Sequence, residues 1–134
     1  MKSGAETYRL RHKEQDTLSA ILNLLIVYEN SGRIAHCDRL NSGRVFIPYT
    51  TKAGQRRGRM IRLCREGTPD AFFITNKGRI VWIEVKSKKG RQRFEQERFE
   101  KKVKKLPSHE YWVVRGIEEF ERRLKEVMLN VPSE

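Results

Sequence analysis

The stretch Gly67 to Gly90, "GTPDAFFITNKGRIVWIEVKSKKG", decides how this chain is read. Two runs rich in aromatic and β-branched residues, Asp70 to Thr75 and Arg79 to Ser87, flank Asn76-Lys77-Gly78. That is the pattern of two antiparallel strands joined by a three-residue loop, with glycine in the left-handed position the third loop residue needs. Such a loop sets the register. Thr75 faces Arg79, and counting outward places Asp70 opposite Glu84, with about 5 Å between their Cβ atoms.

Alternation along the second strand puts Ile80, Trp82, Glu84 and Lys86 on one face and Val81, Ile83 and Val85 on the other. Asp70, Glu84 and Lys86 therefore share a face. A loop one residue longer or shorter would throw Asp70 to the opposite side. Two carboxylates about 4 Å apart repel by roughly 4 kcal/mol at an effective dielectric near 20, so something must offset them. A solvated Asp/Glu/Lys cluster could do so at the surface, as could protonation. A divalent cation does it best, and Mg²⁺ characteristically takes one or two carboxylates and leaves its other positions to water and phosphate oxygens.

Composition says what such a cation would act on. The chain has 134 residues, 29 Lys plus Arg against 17 Asp plus Glu, a formal charge of +12 and a pI near 10.1. A chain of this length makes one domain that buries roughly two-thirds of its unfolded surface. The excess of cations is self-repulsive unless a polyanion uses it, which makes nucleic acid the leading partner. No apolar run is long enough for a membrane span, and "MKSGAETYRLRHKEQ" has no hydrophobic leader segment, so an intracellular, cytoplasmic protein is expected. Cys37 and Cys64 form neither a disulfide framework nor a zinc pattern.

The other elements frame the hairpin. Glu14 to Tyr28 reads as a helix with Leu18, Ile21, Leu22 and Leu25 on one side. Short strands are expected from Ile34 to Leu40 and Val45 to Tyr49. Residues 50–66 carry a dense set of cations and two glycines, which predicts an exposed basic loop. A charged helix from Phe94 to Leu106, a strand at "EYWVVRG" and a terminal helix at "IEEFERRLKEVML" complete a mixed sheet with helices packed against it. Each of two helices aims one polar residue inward near its start. Glu14 heads the leucine stripe, and Gln96 shares a stripe with Phe99, Val103 and Leu106. A blander role remains for each, since the helix dipole favours first-turn Glu and Gln is a good helix former.

"GTPD", a thirteen-residue gap, "EVK", "GR" and "EQERF" together resemble the PD-(D/E)XK nuclease superfamily. More narrowly, the chain is similar to the virus-type replication-repair nuclease (VRR-NUC) domain, in which a helix carrying a glutamate and an "R-x-N-S-G" stretch precede the same core. Here those correspond to Glu14 and to "RLNSG", Arg39 to Gly43. The resemblance spans roughly Glu14 to Leu124 and implies an α/β fold: a single-domain restriction-endonuclease-like core in αβββαβ order plus a C-terminal helix. It implies metal ligation by Asp70, Glu84 and the Val85 carbonyl, with Glu14 binding directly or through water. Lys86 would activate water or stabilise developing charge, Gln96 would lie beside the lysine and orient the site, and Pro69 would shape the start of the strand. The basic insertion before "GTPD" departs from the family pattern.

Mg²⁺ is the expected cofactor, with Mn²⁺ as a substitute. Arg39, Asn41 and Ser42, the insertion residues Lys52, Arg56, Arg57, Arg59 and Arg62, and the cluster Lys88, Lys89, Arg91 and Arg93 are the expected DNA contacts. Stand-alone members of the resembled family act as homodimers on branched DNA such as Holliday junctions. Paired cuts in a junction require two symmetric sites. Trp82, Tyr111 and Trp112 are candidates for that dimer face or for the core. The rival readings are a non-catalytic nucleic-acid-binding protein and a nuclease for linear ends.

Overall fold

A computed structural model describes residues 4–41 and 43–129. Among them, helices and strands follow in the order α1 (Gly4–Asn30), β1 (Ile34–Arg39), β2 (Arg44–Thr50), β3 (Arg56–Arg62), β4 (Ala71–Thr75), β5 (Ile80–Val85), α2 (Phe94–Lys104), β6 (His109–Val114) and α3 (Ile117–Leu129). One sheet has the order β1-β4-β5-β6, and β2 pairs with β3 in a separate two-stranded sheet. The β1/β4 and β4/β5 pairs are antiparallel; β5/β6 is parallel, with α2 as the crossover. Leaving out β2 and β3, this is the expected αβββαβ order with a terminal helix. None of these helices is long and apolar enough to cross a membrane.

The sheet is covered on both faces. On one side Ala71, Phe73, Val81, Ile83 and Val114 pack against Leu18, Ile21 and Leu25 of α1 and Phe120 and Leu124 of α3. Phe73 is at the centre, with Trp112 at 5.7 Å and Phe120 at 6.5 Å between ring centroids. Truncating such a buried ring to Ala costs about 3–5 kcal/mol. On the other side Phe99 of α2 sits over Trp82 at 5.1 Å and Tyr111 at 6.2 Å.

Period two in β5 thus faces Val81 and Ile83 to the two-helix side and Trp82 and Glu84 to α2. Tyr111 and Trp112 are 6% and 4% exposed within a single chain, which removes them as dimer contacts. Trp82 is half-buried, with its Nε1 donating to His109 at 2.9 Å.

Two boundaries differ from expectation. Helix α1 begins at Gly4 rather than Glu14, because no proline or interior glycine interrupts the segment between them. It ends where expected. Gly32 lies at φ 79 and the Ser31 hydroxyl donates to the Tyr28 carbonyl at 3.1 Å, closing the last turn.

The second difference is larger, since the expected basic loop at 50–66 contains strand β3. β2 and β3 form a regular antiparallel ladder from Arg44↔Arg62 to Thr50↔Arg56. Gly58 does not break it. A Cβ there would lie 1.9 Å from the Phe46 ring, so the missing side chain makes room for an aromatic ring lying across the ladder. Only the hairpin tip around Lys52 and the segment after Arg62 remain outside strands.

Candidate functional site

The register expected from the "NKG" loop is the one observed. Ile74 pairs with Ile80 and Ala71 with Ile83, Thr75 N–H donates to the Arg79 carbonyl at 2.8 Å, and Gly78 has φ 86. Asp70 is the first residue beyond the ladder. Its N–H donates to the Ile83 carbonyl at 2.9 Å, and its Oδ2 accepts from Val85 N–H at 2.8 Å. The carboxyl group therefore reaches across to the end of β5, on the side where Lys86 follows.

Glu84 is 3% exposed. Its Oε1 accepts from Gln96 Nε2 at 2.8 Å and lies 3.8 Å from Lys86 Nζ. Its Oε2 is buried and receives no donor among the described residues, and a proton on Glu84 would be shared with the Asp70 carboxyl. An acceptor stranded in this way costs about 1–3 kcal/mol, and more when charged. Burial and then the neighbouring Asp70 charge push the Glu84 carboxyl up from 4.5 to about 8, against the pull of Lys86 and Arg93. Burial raises Asp70 as well, opposed by the Val85 N–H and by Lys86. Two carboxyls so placed do not both ionise near neutral pH unless a cation joins them.

Gln96 ties this pair to α2. Its Oε1 accepts from Arg93 N–H at 2.8 Å, the first-turn bond of a capping box. A backbone N–H can only donate, so the amide nitrogen must face Glu84. The expected position beside the lysine is refined: Gln96 and Lys86 both approach Glu84 Oε1. Glu14 also lies where its place at the head of the α1 stripe implies. Its Oε1 accepts from Ser87 N–H at 2.9 Å, one residue past Lys86. Pro69 is fully buried ahead of Asp70.

Glu14, Arg39, Asn41, Asp70 and Val85 line one cleft of about 230 Å³. Arg39 and Asn41, expected to contact DNA, are thus brought to Glu14 and Asp70, whereas Glu84 and Lys86 do not line this cleft. Lys88, Lys89, Arg91 and Arg93 are exposed on the segment between β5 and α2, at the same end of the sheet. Ser42 lies outside the described residues. Arg56, Arg57, Arg59 and Arg62 are on β3, and Lys52 is at the hairpin tip, on a separate sheet.

Among the described residues no three His, Cys, Asp or Glu side chains converge to hold a metal. The acidic donors form a pair, and Glu14 already has one oxygen engaged. A pair with a nearby carbonyl still fits Mg²⁺, which needs few protein ligands. Glu84 Oε2, buried and receiving no donor, faces either a proton shared with Asp70 or a cation.

Arg115 is a site residue that sequence reading missed. Its Nη1 donates to the carbonyls of Ser87 at 2.6 Å, Gly90 at 2.7 Å and Lys88 at 3.3 Å, clamping the segment that follows Lys86. The parallel pairing of Val85 with Val114 puts Arg115 beside Lys86. That pairing was the only signal that could have found it. No family model matches the chain, and no curated protein matches it significantly.

Proposed function

We propose that this protein is a metal-dependent nuclease of the PD-(D/E)XK type, resembling the VRR-NUC domain, that hydrolyses phosphodiester bonds in DNA. The observation that carries the reading is Glu84: a buried carboxyl with one oxygen held by Gln96 and the other unpartnered, beside Asp70 and within 3.8 Å of a lysine. Buried acceptors without a donor are rare in native structures, and a cation joining Asp70 and Glu84 would satisfy this one.

Asp70, Glu84 and the Val85 carbonyl would hold Mg²⁺ or Mn²⁺, with Glu14 lining the cleft that Asp70 and Val85 share. When bound, the ion polarises a phosphate oxygen and lowers the pKa of water at the site. The chain's own residues do the rest. Lys86 places an ammonium beside the acidic pair, where it orients water and opposes negative charge developing on the phosphate. Gln96 fixes the Glu84 carboxylate, and Arg115 holds the backbone that follows Lys86. Arg39 and the exposed cations of residues 88–93 give phosphate affinity without base selectivity. Branched DNA cut by a homodimer is the preferred substrate on this reading.

The exposed basic β2–β3 hairpin favours one rival, a binding protein without catalysis. Labelled junction, flap and linear DNA incubated with Mg²⁺, Mn²⁺ or EDTA separates the two. Metal-dependent cleavage abolished in Glu84→Gln and Lys86→Ala supports the nuclease. Binding with no cleavage of any substrate by the unmodified protein would establish the rival, and preference for duplex ends over junctions would point to linear DNA.

A further inference from the structure

The β2–β3 arm takes no part in the core. Each strand has the other as its only substantial neighbour among the described residues, and all of Arg44–Thr50 is exposed. Isolated two-stranded hairpins are at best marginally stable in water. This one also sets Arg44 directly opposite Arg62, a like-charge pair that weakens it further. Between Asp38 and Glu66 the sequence has eight Lys or Arg and no acid. Such a ribbon needs an anionic partner.

Its faces say which kind. The ladder puts Arg57 and Arg59 on one face, opposite Tyr49 and Ile47, and Arg56 and Arg62 on the other, with Phe46 opposite Met60. Cations leave both faces, with apolar side chains between them. Edge pairing with a second copy is disfavoured. Thr51 N–H bonds the Gln55 carbonyl and Leu63 N–H bonds the Gly43 carbonyl, so odd-numbered β2 residues point inward and Pro48 occupies the outer edge. Pro48 removes a donor from the middle of that edge, and two copies of Arg44–Arg62 would set six cations against six.

From these observations, and resting on the nuclease reading for the identity of the polyanion, we infer that the arm is a β-ribbon that lodges in the major groove of B-form duplex DNA. The groove is about 12 Å wide and admits a two-stranded ribbon, whose strands are about 4.8 Å apart. Lodged there with one face toward the base edges, the ribbon brings Tyr49 with Arg57 and Arg59, or Phe46 with Arg56 and Arg62, to the groove floor and its flanking phosphates. Its seven-residue strands reach about 24 Å. The root, Arg44, is three residues from Asn41 in the cleft, so the gripped duplex is held next to Asp70 and Glu84. A-form RNA has a major groove too narrow for the ribbon and is excluded as the gripped duplex.

Fluorescence anisotropy with a short labelled duplex, in EDTA so that nothing is hydrolysed, tests this. Arg57→Ser with Arg59→Ser should lower the salt slope of log K by about 2 and weaken binding roughly tenfold. For the unmodified protein, glucosylated hydroxymethylcytosines filling the major groove should weaken binding comparably, netropsin in the minor groove should not, and duplex RNA should bind more weakly. Unchanged affinity and slope in the double variant, or equal affinity for the blocked duplex or the RNA, would overturn the inference. So would a dimer that the two substitutions dissociate, since the arm would then be an interface between copies. Cleavage in Mg²⁺ is scored separately. Cleavage with arm-independent binding removes only the groove assignment; arm-dependent binding without cleavage removes only the nuclease reading.

Discussion

Gln96 Nε2 lies 2.8 Å from Glu84 Oε1, both side chains are 3% exposed, and the same amide's oxygen holds the Arg93 N–H. One side chain therefore fixes the start of α2 and the orientation of a buried carboxyl. Gln96→Ala removes both bonds and leaves Glu84 with a second unsatisfied oxygen. The expected loss is about 1–3 kcal/mol in urea unfolding, together with weaker stabilisation by added Mg²⁺. A variant with unchanged stability and an unchanged response to the ion would show that the contact organises nothing.

The raised Glu84 carboxyl gives stability a definite pH dependence. Its value rises from 4.5 to about 8 on folding, so between those limits the native state binds more protons than the unfolded chain. Stability is then fully present below pH 4.5 and is lost as pH rises through about 8. Asp70 shifts in the same direction and adds to the trend. In EDTA, the unmodified protein should lose roughly 2–4 kcal/mol across this range, and Glu84→Gln should flatten the profile and be the more stable protein at high pH. Mg²⁺ should restore stability most at high pH, where it competes with the fewest protons. A flat profile for the unmodified protein in EDTA would remove the shifted carboxyl.

Two glycines with the same backbone conformation should respond differently to alanine. Gly67 and Gly78 both have φ 86, but a Cβ at Gly67 would lie 2.3 Å from the Glu95 carbonyl oxygen, whereas at Gly78 it meets nothing within 4 Å. Gly78→Ala should cost about 1 kcal/mol through backbone strain alone. Gly67→Ala must also displace the first turn of α2, and with it Gln96, so a loss at least twice as large is expected in chemical denaturation. Equal losses would mean that the close approach of residue 67 to α2 is unimportant.

Arg115 clamps an exposed segment, so its removal should show in local opening more than in global stability. Arg115→Ala is expected to lower overall stability by about 1 kcal/mol or less. Trypsin cleavage after Lys88 and Lys89 should accelerate clearly, and Arg115→Lys, whose ammonium carries three donors but sits on a shorter stem, should restore only part of the protection. Unchanged cleavage rates in Arg115→Ala would show that the segment holds its shape without the clamp.

Much of the site was legible because its determinants are local. The "NKG" loop and the alternation from Ile80 to Lys86 are short-range features, and together they set Ala71 against Ile83 and brought Asp70 to Glu84. The leucine stripe oriented α1 and pointed Glu14 inward. Strand β2 was expected from Val45 to Tyr49, but β3 escaped notice because its sequence contradicts a strand. Gly58, the dense arginines and the lack of a buried face all argue for a loop, and only cross-strand hydrogen bonding and the Phe46 ring over Gly58 reverse that.

By itself, then, the sequence determined the hairpin register, the acidic pair with its lysine, and the net positive charge. Each of these follows from residues near one another in the chain, where turn chemistry and side-chain period leave few alternatives. Tertiary structure alone decided that Glu84 Oε2 is sealed from water without a donor, that Gln96 rather than solvent holds Oε1, and that Arg115 lies beside Lys86. These depend on how α2 docks and on a parallel pairing whose partners are about thirty residues apart. No local pattern encodes such contacts; the packing of the whole sheet between its helices selects them.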